Sequence, residues 1–182
     1  MQVIKTKIKN LEKIASNSII TVGMFDSLHI YHQMIINKVV EIGTKENLFR
    51  IIFTFNKKPG KKDYDFFLNE KDKIKYIQNK FEIDFLYIIE VDEQLANSSK
   101  EEFVNILKNK LGVIKIVEGS DFKFAYNKTG DVNYLIKEFG IDNVIIFQRN
   151  NSVSTSEVKK KIKQNNSQDI IDIIDINLIK KR

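Results

Sequence analysis

His29 and His32 are the only histidines in the chain, and they follow directly on a continuous apolar run, residues 19–25, and Asp26. The apolar residues of segment 31–42 then recur at helical spacing, which predicts that a buried strand turns into a helix at this point. Such a turn is a binding site for phosphate groups in α/β proteins, because the N–H groups and the dipole of a helix N-terminus favour an anion. Two side chains three residues apart share one face of a helical turn, so both histidines could contact one ligand.

The residues alone leave three interpretations of the histidine pair open. In the first, both imidazoles donate hydrogen bonds to phosphate oxygens, where they would stabilise developing negative charge. In the second, they are structural residues of a helix cap. In the third, they are zinc ligands, which would require at least one further ligand. The sequence contains neither an H-E-x-x-H motif nor a histidine further along the chain.

A second predicted helix start carries hydroxyl groups. Ser154 and Glu157 have the spacing of a capping box, and lysines follow at residues 159–161. The amide and hydroxyl groups of this segment could bind a phosphate group beside the lysines. The other interpretation is an ordinary capped helix with solvated lysines.

The elements that must position these residues alternate between strand and helix. Strands are predicted at residues 19–25, 49–55, 85–91, 114–117 and 144–147, with residues 2–8 as a short edge strand or a lead-in. Helices are predicted at residues 31–42, 70–81, 99–111, 131–139, 158–163 and about 167–180, the first ending at Gly43. This alternation predicts an α/β fold with a five-stranded, mostly parallel sheet and helices on both faces.

The predicted strand ends meet at one edge of this sheet. They are Phe25, Phe55, Val91, Val117 and Phe147. Ligands of parallel sheets bind outside the carboxyl ends of the strands, at the topological switch point. Because unusual residues follow four of the five ends, the sequence predicts one composite site at this edge.

The composition excludes several classes of protein. The 182 residues suit a single domain, and 42% hydrophobic residues argue against disorder. No apolar stretch approaches the roughly 18 residues of a membrane span, and residues 1–15 are too charged for a secretory signal. The absence of cysteine excludes disulfides and thiolate catalysis. We expect a cytoplasmic protein, with a monomer favoured.

The formal net charge of +6 would suit a polyanionic partner. A general compositional bias toward lysine explains the charge equally well. Aromatic residues are not interleaved with the basic clusters, as they are on surfaces that bind nucleic acids. Nucleic acid is therefore an unlikely partner on this pattern.

Four motifs, in order along the chain, resemble a known family. Residues 23–32 resemble G-x-F-D-G-V-H-x-G-H, residues 54–59 resemble part of T-F-x-P-x-P, residues 119–131 resemble G-x-D/N-F-R-F-G…G-D, and residues 154–159 resemble S-S-T-R-I-R. These are motifs of the FMN adenylyltransferase module of bacterial bifunctional riboflavin kinase/FAD synthetases, which is one of the HxGH nucleotidyltransferases. The resemblance covers residues 19–178, nearly the whole chain.

The resemblance implies a Rossmann-like nucleotidyltransferase fold in one domain, residues 1–182, and the reaction of FMN with ATP and Mg²⁺ to give FAD and pyrophosphate. The catalytic residues that it implies are His29, His32, Ser156 and Lys159. The implied ATP-binding residues are Gly23, Phe25, Asp26, His29, His32, Ser154, Thr155 and Ser156. The implied flavin-binding residues are Phe55, Pro59, Asp121, Phe122 and Phe124. The metal ligands stay unassigned.

Several residues depart from the pattern of the family. Ser27 and Tyr31 replace glycines, which let a nucleotide approach the backbone closely. Glu157 and Lys159 replace arginines, and lysines at residues 57–58 replace a proline and a histidine. These departures leave open a binding module for flavin or nucleotide without catalysis, and also a nucleotidyltransferase with a different acceptor. The chain stops where the riboflavin kinase domain of the family would begin, so that activity is not expected.

Overall fold

A six-stranded parallel sheet is the centre of the computed structural model, which describes residues 1–60 and 65–148. Its strands are β1 (Gln2–Lys7), β2 (Ser18–Val22), β3 (Phe49–Phe55), β4 (Phe85–Glu90), β5 (Val113–Gly119) and, after a separate antiparallel pair, β8 (Val144–Phe147). The separate pair consists of β6 (Lys123–Phe124) and β7 (Gly130–Asp131). The strand order in the sheet is β1-β4-β3-β2-β5-β8, and every neighbouring pair is parallel.

Five helices of the described chain connect these strands. They are α1 (Ile30–Glu46), α2 (Glu70–Lys80), α3 (Glu93–Ala96), α4 (Lys100–Asn109) and α5 (Val132–Phe139). Each begins after a residue whose side chain accepts a backbone N–H of the first turn: His29, Asn69, Asp92, Ser99 and Asp131. Ser99 and Glu102, three residues apart, form a capping box with both reciprocal hydrogen bonds present.

The sheet buries a separate apolar core on each face. Successive strand residues point to opposite faces, so that Ile19 lies in one core and Ile20 in the other. Helices α1 and α2 cover the first core with Ile36 and Ile77, among others. Helices α4 and α5 cover the second with residues such as Leu107. The predicted α/β fold with helices on both faces is confirmed.

The predicted number of strands, five, was one too few. Residues 2–7 form β1, which extends the sheet at its edge by pairing in parallel with β4, from Gln2 opposite Phe85 to Lys7 opposite Glu90. An edge strand has one strand neighbour and an open side. Its apolar residues therefore need not alternate strictly, and the sequence pattern was correspondingly weak.

Several predicted boundaries were also wrong, among them the end of β5, which is Gly119 instead of Val117. Helix α1 continues past Gly43 to Glu46 and ends at Asn47, which has a left-handed backbone with φ of 53°. Gly43 is buried, and a Cβ atom there would collide with the side chain of Arg50, so this glycine serves packing and not termination. Strand β2 ends at Val22 instead of Phe25. The helices predicted at residues 158–163 and about 167–180 lie outside the described residues.

The strand order creates a topological switch point between β2 and β5. From β2 the chain passes through α1 to β3 and then to β4 on one side, whereas β5 and β8 lie on the other side of β2. The carboxyl ends of β2 and β5 therefore border a crevice, the place where α/β sheets bind ligands. Segment 23–29 follows β2 here, and segment 120–131 follows β5.

Candidate active site

The turn that leads from β2 into α1 is fixed by two buried apolar side chains. Phe25 and Leu28 both have a φ of 46°, a left-handed conformation that is uncommon for bulky residues. Phe25 is 2% exposed and Leu28 is 0% exposed, so packing in the core beneath α1 holds this backbone in place. The turn therefore presents the residues that follow it in a defined position.

His29 and His32 form a stacked pair at the N-terminus of α1. The His32 backbone N–H donates to Nδ1 of His29 over 3.3 Å, which makes His29 the N-cap of the helix. The two rings lie 3.7 Å apart between centroids at an angle of 14°, and the Phe25 ring meets His32 edge-on at 5.3 Å. The helix-cap interpretation thus holds for His29, and both imidazoles lie at the positive end of α1 beside the crevice.

A buried polar network supports the turn from below. The Met24 carbonyl accepts from Nζ of Lys73 and from the Thr54 hydroxyl, each over 3.1 Å. Oδ1 of Asp26 accepts the Phe67 backbone N–H over 2.8 Å, and Asp26 is 1% exposed. Burial lowers the pKa of Lys73, while the nearby carboxylates of Asp26 and Glu70 act in the opposite direction. This network holds the turn through its backbone.

Lys73 was missed by the sequence reasoning, although its spacing from Ile77 was a weak signal of burial. It lies four residues before Ile77 and therefore on the buried face of α2. A lysine on a charged helix is usually solvated, however, and nothing nearby in the sequence distinguishes this one.

Tyr31 spans the crevice from α1 to the far side of β5. Its hydroxyl donates to the Phe147 carbonyl, which also accepts the Ser120 backbone N–H over 2.9 Å. A Cβ atom on Gly119 would lie 3.1 Å from the Tyr31 hydroxyl and 3.0 Å from Oδ1 of Asp121. The glycine at this position lets both side chains approach the end of β5, and the Tyr31 ring is anchored above it.

Glu118, a second residue that the sequence reasoning missed, is buried between β5 and β2. Its Oε1 accepts the Val22 backbone N–H over 2.6 Å and lies 3.5 Å from the Thr21 hydroxyl. Burial raises the pKa of Glu118 well above its ordinary value, although both of these hydrogen bonds act to lower it. The available signal in the sequence was a glutamate directly after the apolar end of a predicted strand, residues 114–117.

The aromatic residues implied for flavin binding lie on the α4 side of the sheet. Phe122 stacks on Phe124 with 5.5 Å between centroids at 20°, and Phe124 meets Phe103 at 5.3 Å. Phe103 connects through Phe53 to Phe55, with centroid distances of 6.0 and 5.7 Å. Phe124 is 7% exposed and packs as a core residue, whereas Phe55 and Phe122 are half-buried. Of the predicted flavin residues, the structure brings Phe122 and Phe124 into direct contact.

The remaining predicted site residues divide into two groups. Pro59 and Asp121 are exposed, and Gly23 continues the pairing of β2 with β3 through its N–H. Ser27, which departs from the family pattern, is fully buried. The residues of the second predicted phosphate-binding helix lie outside the described residues: Ser154, Thr155, Ser156, Glu157 and Lys159. Their assigned roles stay predictions.

Residues 1–60 and 65–148 lack two kinds of feature. No helix there is long and apolar enough to cross a membrane. No group of three histidine, aspartate or glutamate side chains lies together as a ready metal site. The zinc interpretation of the histidine pair therefore gains no third ligand in this part of the chain.

Comparison with known proteins gives one consistent family. The sequence model of the family described as FAD synthetase matches residues 11–165. The bifunctional riboflavin kinase/FMN adenylyltransferase of Buchnera aphidicola subsp. Schizaphis graminum is 31% identical over 177 residues, which cover 87% of this chain and 54% of that protein. A protein named FAD synthetase from Listeria monocytogenes is 24% identical over 86% of this chain and 68% of its own length. The chain thus spans about half the length of the first of these relatives.

A solved structure supports the fold independently. It is described as a macrolide-efflux protein from Streptococcus pneumoniae and superimposes with a TM-score of 0.72 at 22% identity. The similarity covers 88% of this chain and 55% of that one. At this identity the likeness concerns the fold alone.

Proposed function

The chain belongs to the FAD synthetase family, and we propose that it transfers the AMP moiety of ATP to the phosphate of FMN, giving FAD and pyrophosphate. The observation that carries the proposal is the stacked histidine pair, His29 and His32, at the N-terminus of α1 beside the switch point. The four family motifs in the sequence support the same reaction.

This reaction needs positioning and charge stabilisation more than an activated side chain. A phosphate oxygen of FMN attacks the α-phosphorus of ATP, and the bond from that phosphorus to the oxygen bridging to the β-phosphorus breaks. Pyrophosphate leaves with the electron pair, and no covalent enzyme intermediate is required. Ring N–H groups of His29 and His32, together with the dipole of α1, would stabilise the charge on the α-phosphate and the leaving group. The network at Met24 and Lys73 would keep these donors in position.

Mg²⁺ enters the proposal with ATP. This ion is usually held by substrate phosphates, waters and one or two carboxylates, so a preformed cluster of protein ligands is not required. Asp121 is exposed and lies next to Gly119 and Tyr31 at the crevice. We assign its carboxylate to the protein groups that surround the Mg²⁺ ion. The ion would neutralise charge on the triphosphate.

The flavin would lie on the side of the crevice where Phe122 stacks on Phe124. A half-buried ring such as Phe122 offers an apolar face to an isoalloxazine system. By the family resemblance, Ser156 and Lys159 would hold the ATP phosphates from the opposite side. These assignments are parts of the proposal and are tested with it.

A second candidate is a module that binds nucleotide or flavin without catalysis. The anchored Tyr31, which covers the carboxyl end of β5, favours it, because ATP must share this crevice with the ring. Calorimetric titration with ATP and with FMN would detect binding in either case. Binding of both ligands without turnover would select the second candidate.

The turnover assay supplies ATP, Mg²⁺ and an acceptor and follows FAD by chromatography and pyrophosphate by an enzymatic assay. FMN should give FAD and pyrophosphate in equal amounts. Riboflavin, which lacks the phosphate nucleophile, is the matched control and should give neither product. Pyrophosphate released with an acceptor other than FMN, and not with FMN, would assign a different substrate.

A further inference from the structure

Glu118 is a buried carboxyl group that the proposed reaction does not use. Within residues 1–60 and 65–148, the buried carboxylic side chains are Asp26 and Glu118, at 1% and 3% exposure. Asp26 acts on the buried cation Lys73. No cationic side chain of the described chain acts comparably on Glu118. A buried carboxyl group is costly to hold in its charged form, and the described residues explain its place in the fold through hydrogen bonds.

The separation of β2 from β5 explains the hydrogen bonds of Glu118. The ladder between these strands ends at Ile20 and Ile116, whereas β2 continues to Val22. Beyond the end of the ladder, the Val22 N–H donates to Oε1 of Glu118 over 2.6 Å. On its other side β2 stays paired, since the Gly23 N–H donates to the Phe53 carbonyl over 3.0 Å. The carboxyl group thus replaces a β5 carbonyl where the two strands part.

This position lies between the two backbone segments that border the crevice. Val22 immediately precedes the turn to His29, and Gly119, next to Glu118, carries the contacts with Tyr31 and Asp121. The groups that face the carboxyl from β2 are the Val22 amide and the Thr21 hydroxyl. From α1 and the segment after β5, the titratable groups beside Gly119 are Tyr31 and Asp121. On β8 the residue in register is the apolar Ile146.

We propose that Glu118 is a positioning residue that acts in its uncharged form, holding the end of β2 through Val22 while keeping a negative charge out of the phosphate crevice. The inference rests on the proposed function, because it assigns the ATP phosphates to this crevice. Ionisation of Glu118 then weakens ATP binding, since a carboxylate repels the triphosphate. Because burial raises the pKa of Glu118, the weakening occurs at a higher pH than for an exposed glutamate.

The test is the dissociation constant of ATP, measured by calorimetry without FMN for the wild-type protein and for Glu118→Gln. The amide of glutamine stays neutral and still offers an oxygen to the Val22 N–H. We expect equal affinities at the acidic end of the pH range in which both proteins stay folded, and an affinity of the wild type lower by about threefold or more at its alkaline end. Ionisation of ATP itself occurs in both measurements and cancels from the ratio. A ratio that is constant across this range would overturn the inference.

A second variant separates the hydrogen bond from the charge. Glu118→Met is neutral and of similar size, but it leaves the buried Val22 N–H without its acceptor. Its ATP affinity relative to Glu118→Gln should not change with pH, and it should unfold at a lower urea concentration than Glu118→Gln. Equal urea midpoints for the two variants would overturn the bridging role.

Failure of the inference and failure of the proposed function give different results. A ratio that changes with pH while no FAD forms would support the role of Glu118 and contradict the proposed reaction. A ratio of ATP affinities that is constant with pH, together with FAD formation, would contradict the role of Glu118 and support the proposed reaction. Absence of ATP binding at every pH would overturn both.

Discussion

His29 has two roles at the residue scale, one structural and one proposed. Its Nδ1 caps α1 by accepting the His32 N–H, and its ring stacks on that of His32. From the sequence, the helix cap and the phosphate donor were alternative interpretations. One imidazole has two nitrogens, however, so the same side chain can serve both roles. With Nδ1 accepting, Nε2 is the ring nitrogen to which the proposed function assigns the hydrogen bond with a phosphate oxygen.

Substitution of His29 separates the two roles. His29→Ala removes the capping acceptor and should lower the free energy of unfolding by about 1 kcal/mol. His29→Asn supplies a side-chain oxygen that accepts well at this position, so its stability should approach that of the wild type. Urea unfolding of the three proteins measures this difference. Equal losses in the alanine and asparagine variants would contradict the capping role.

Single residues were predictable from the sequence where their pattern is local. The histidine pair and the capping box of Ser99 and Glu102 are set by spacings of three residues along one turn. Lys73 and Glu118 became apparent only in the structure, because their partners lie on other elements. Tyr31 was recognised as unusual, but its bond to Phe147 joins residues far apart in the sequence.

At the element scale, the pair of strands β6 and β7 determines where Phe122 and Phe124 lie. A Cβ atom on Gly130 would approach the Phe124 ring to 2.5–2.6 Å. Glycine at this position therefore allows β7 to pass directly over the ring. The stacked phenylalanines assigned to the flavin depend on this close approach.

Gly130→Ala tests the close approach. The added methyl group has no space without a shift of Phe124, and overpacking of this kind costs about 1–3 kcal/mol of unfolding free energy. Phe124→Leu leaves more room, so alanine at position 130 should cost less in that background. Urea unfolding of the two single variants and the double variant measures this coupling. An equal cost in both backgrounds would contradict the steric explanation.

The elements themselves were largely predictable, and the errors have physical causes. Strand β3 matches its prediction at both ends because its apolar and aromatic residues, interrupted by Arg50 and Thr54, mark it clearly. The sequence left it open whether residues 2–8 form a strand, because a strand at the edge of a sheet has only one strand neighbour and needs no strict apolar pattern. The end of α1 was misplaced because a glycine needed for packing against Arg50 resembles a helix terminator.

At the scale of the whole molecule, the two ends of the parallel strands serve different purposes. The carboxyl ends border the proposed site. Near the amino ends, Arg50 at the start of β3 pairs with Asp84, just before β4. The guanidinium forms two hydrogen bonds to the carboxylate, of 2.8 and 2.9 Å. The Arg50 backbone N–H adds a third, of 2.8 Å. Such a bidentate pair joins neighbouring strands strongly.

Asp84→Asn should therefore change stability without changing chemistry. The hydrogen bonds from Arg50 lower the pKa of Asp84 in the folded protein, so the stabilisation is present above the ordinary aspartate pKa. It is lost as the pH falls through that value toward the folded one. We expect the variant to unfold more easily than the wild type at pH 7, by about 2 kcal/mol, with the gap closing below about pH 4. A gap that is independent of pH would contradict the charge-assisted pairing.

The rate of FAD formation from saturating ATP and FMN, compared between the wild type, His29→Asn and Asp84→Asn, tests the proposed site most directly. We predict FAD and pyrophosphate in equal amounts from the wild type and the same rate from folded Asp84→Asn, which lies near the amino ends of the strands. His29→Asn keeps the helix cap but loses the ring donor, so its rate should fall by about 100-fold or more. A His29→Asn rate equal to that of the wild type would contradict the assignment of the site. No FAD from a wild-type protein that binds both substrates would contradict the proposed reaction.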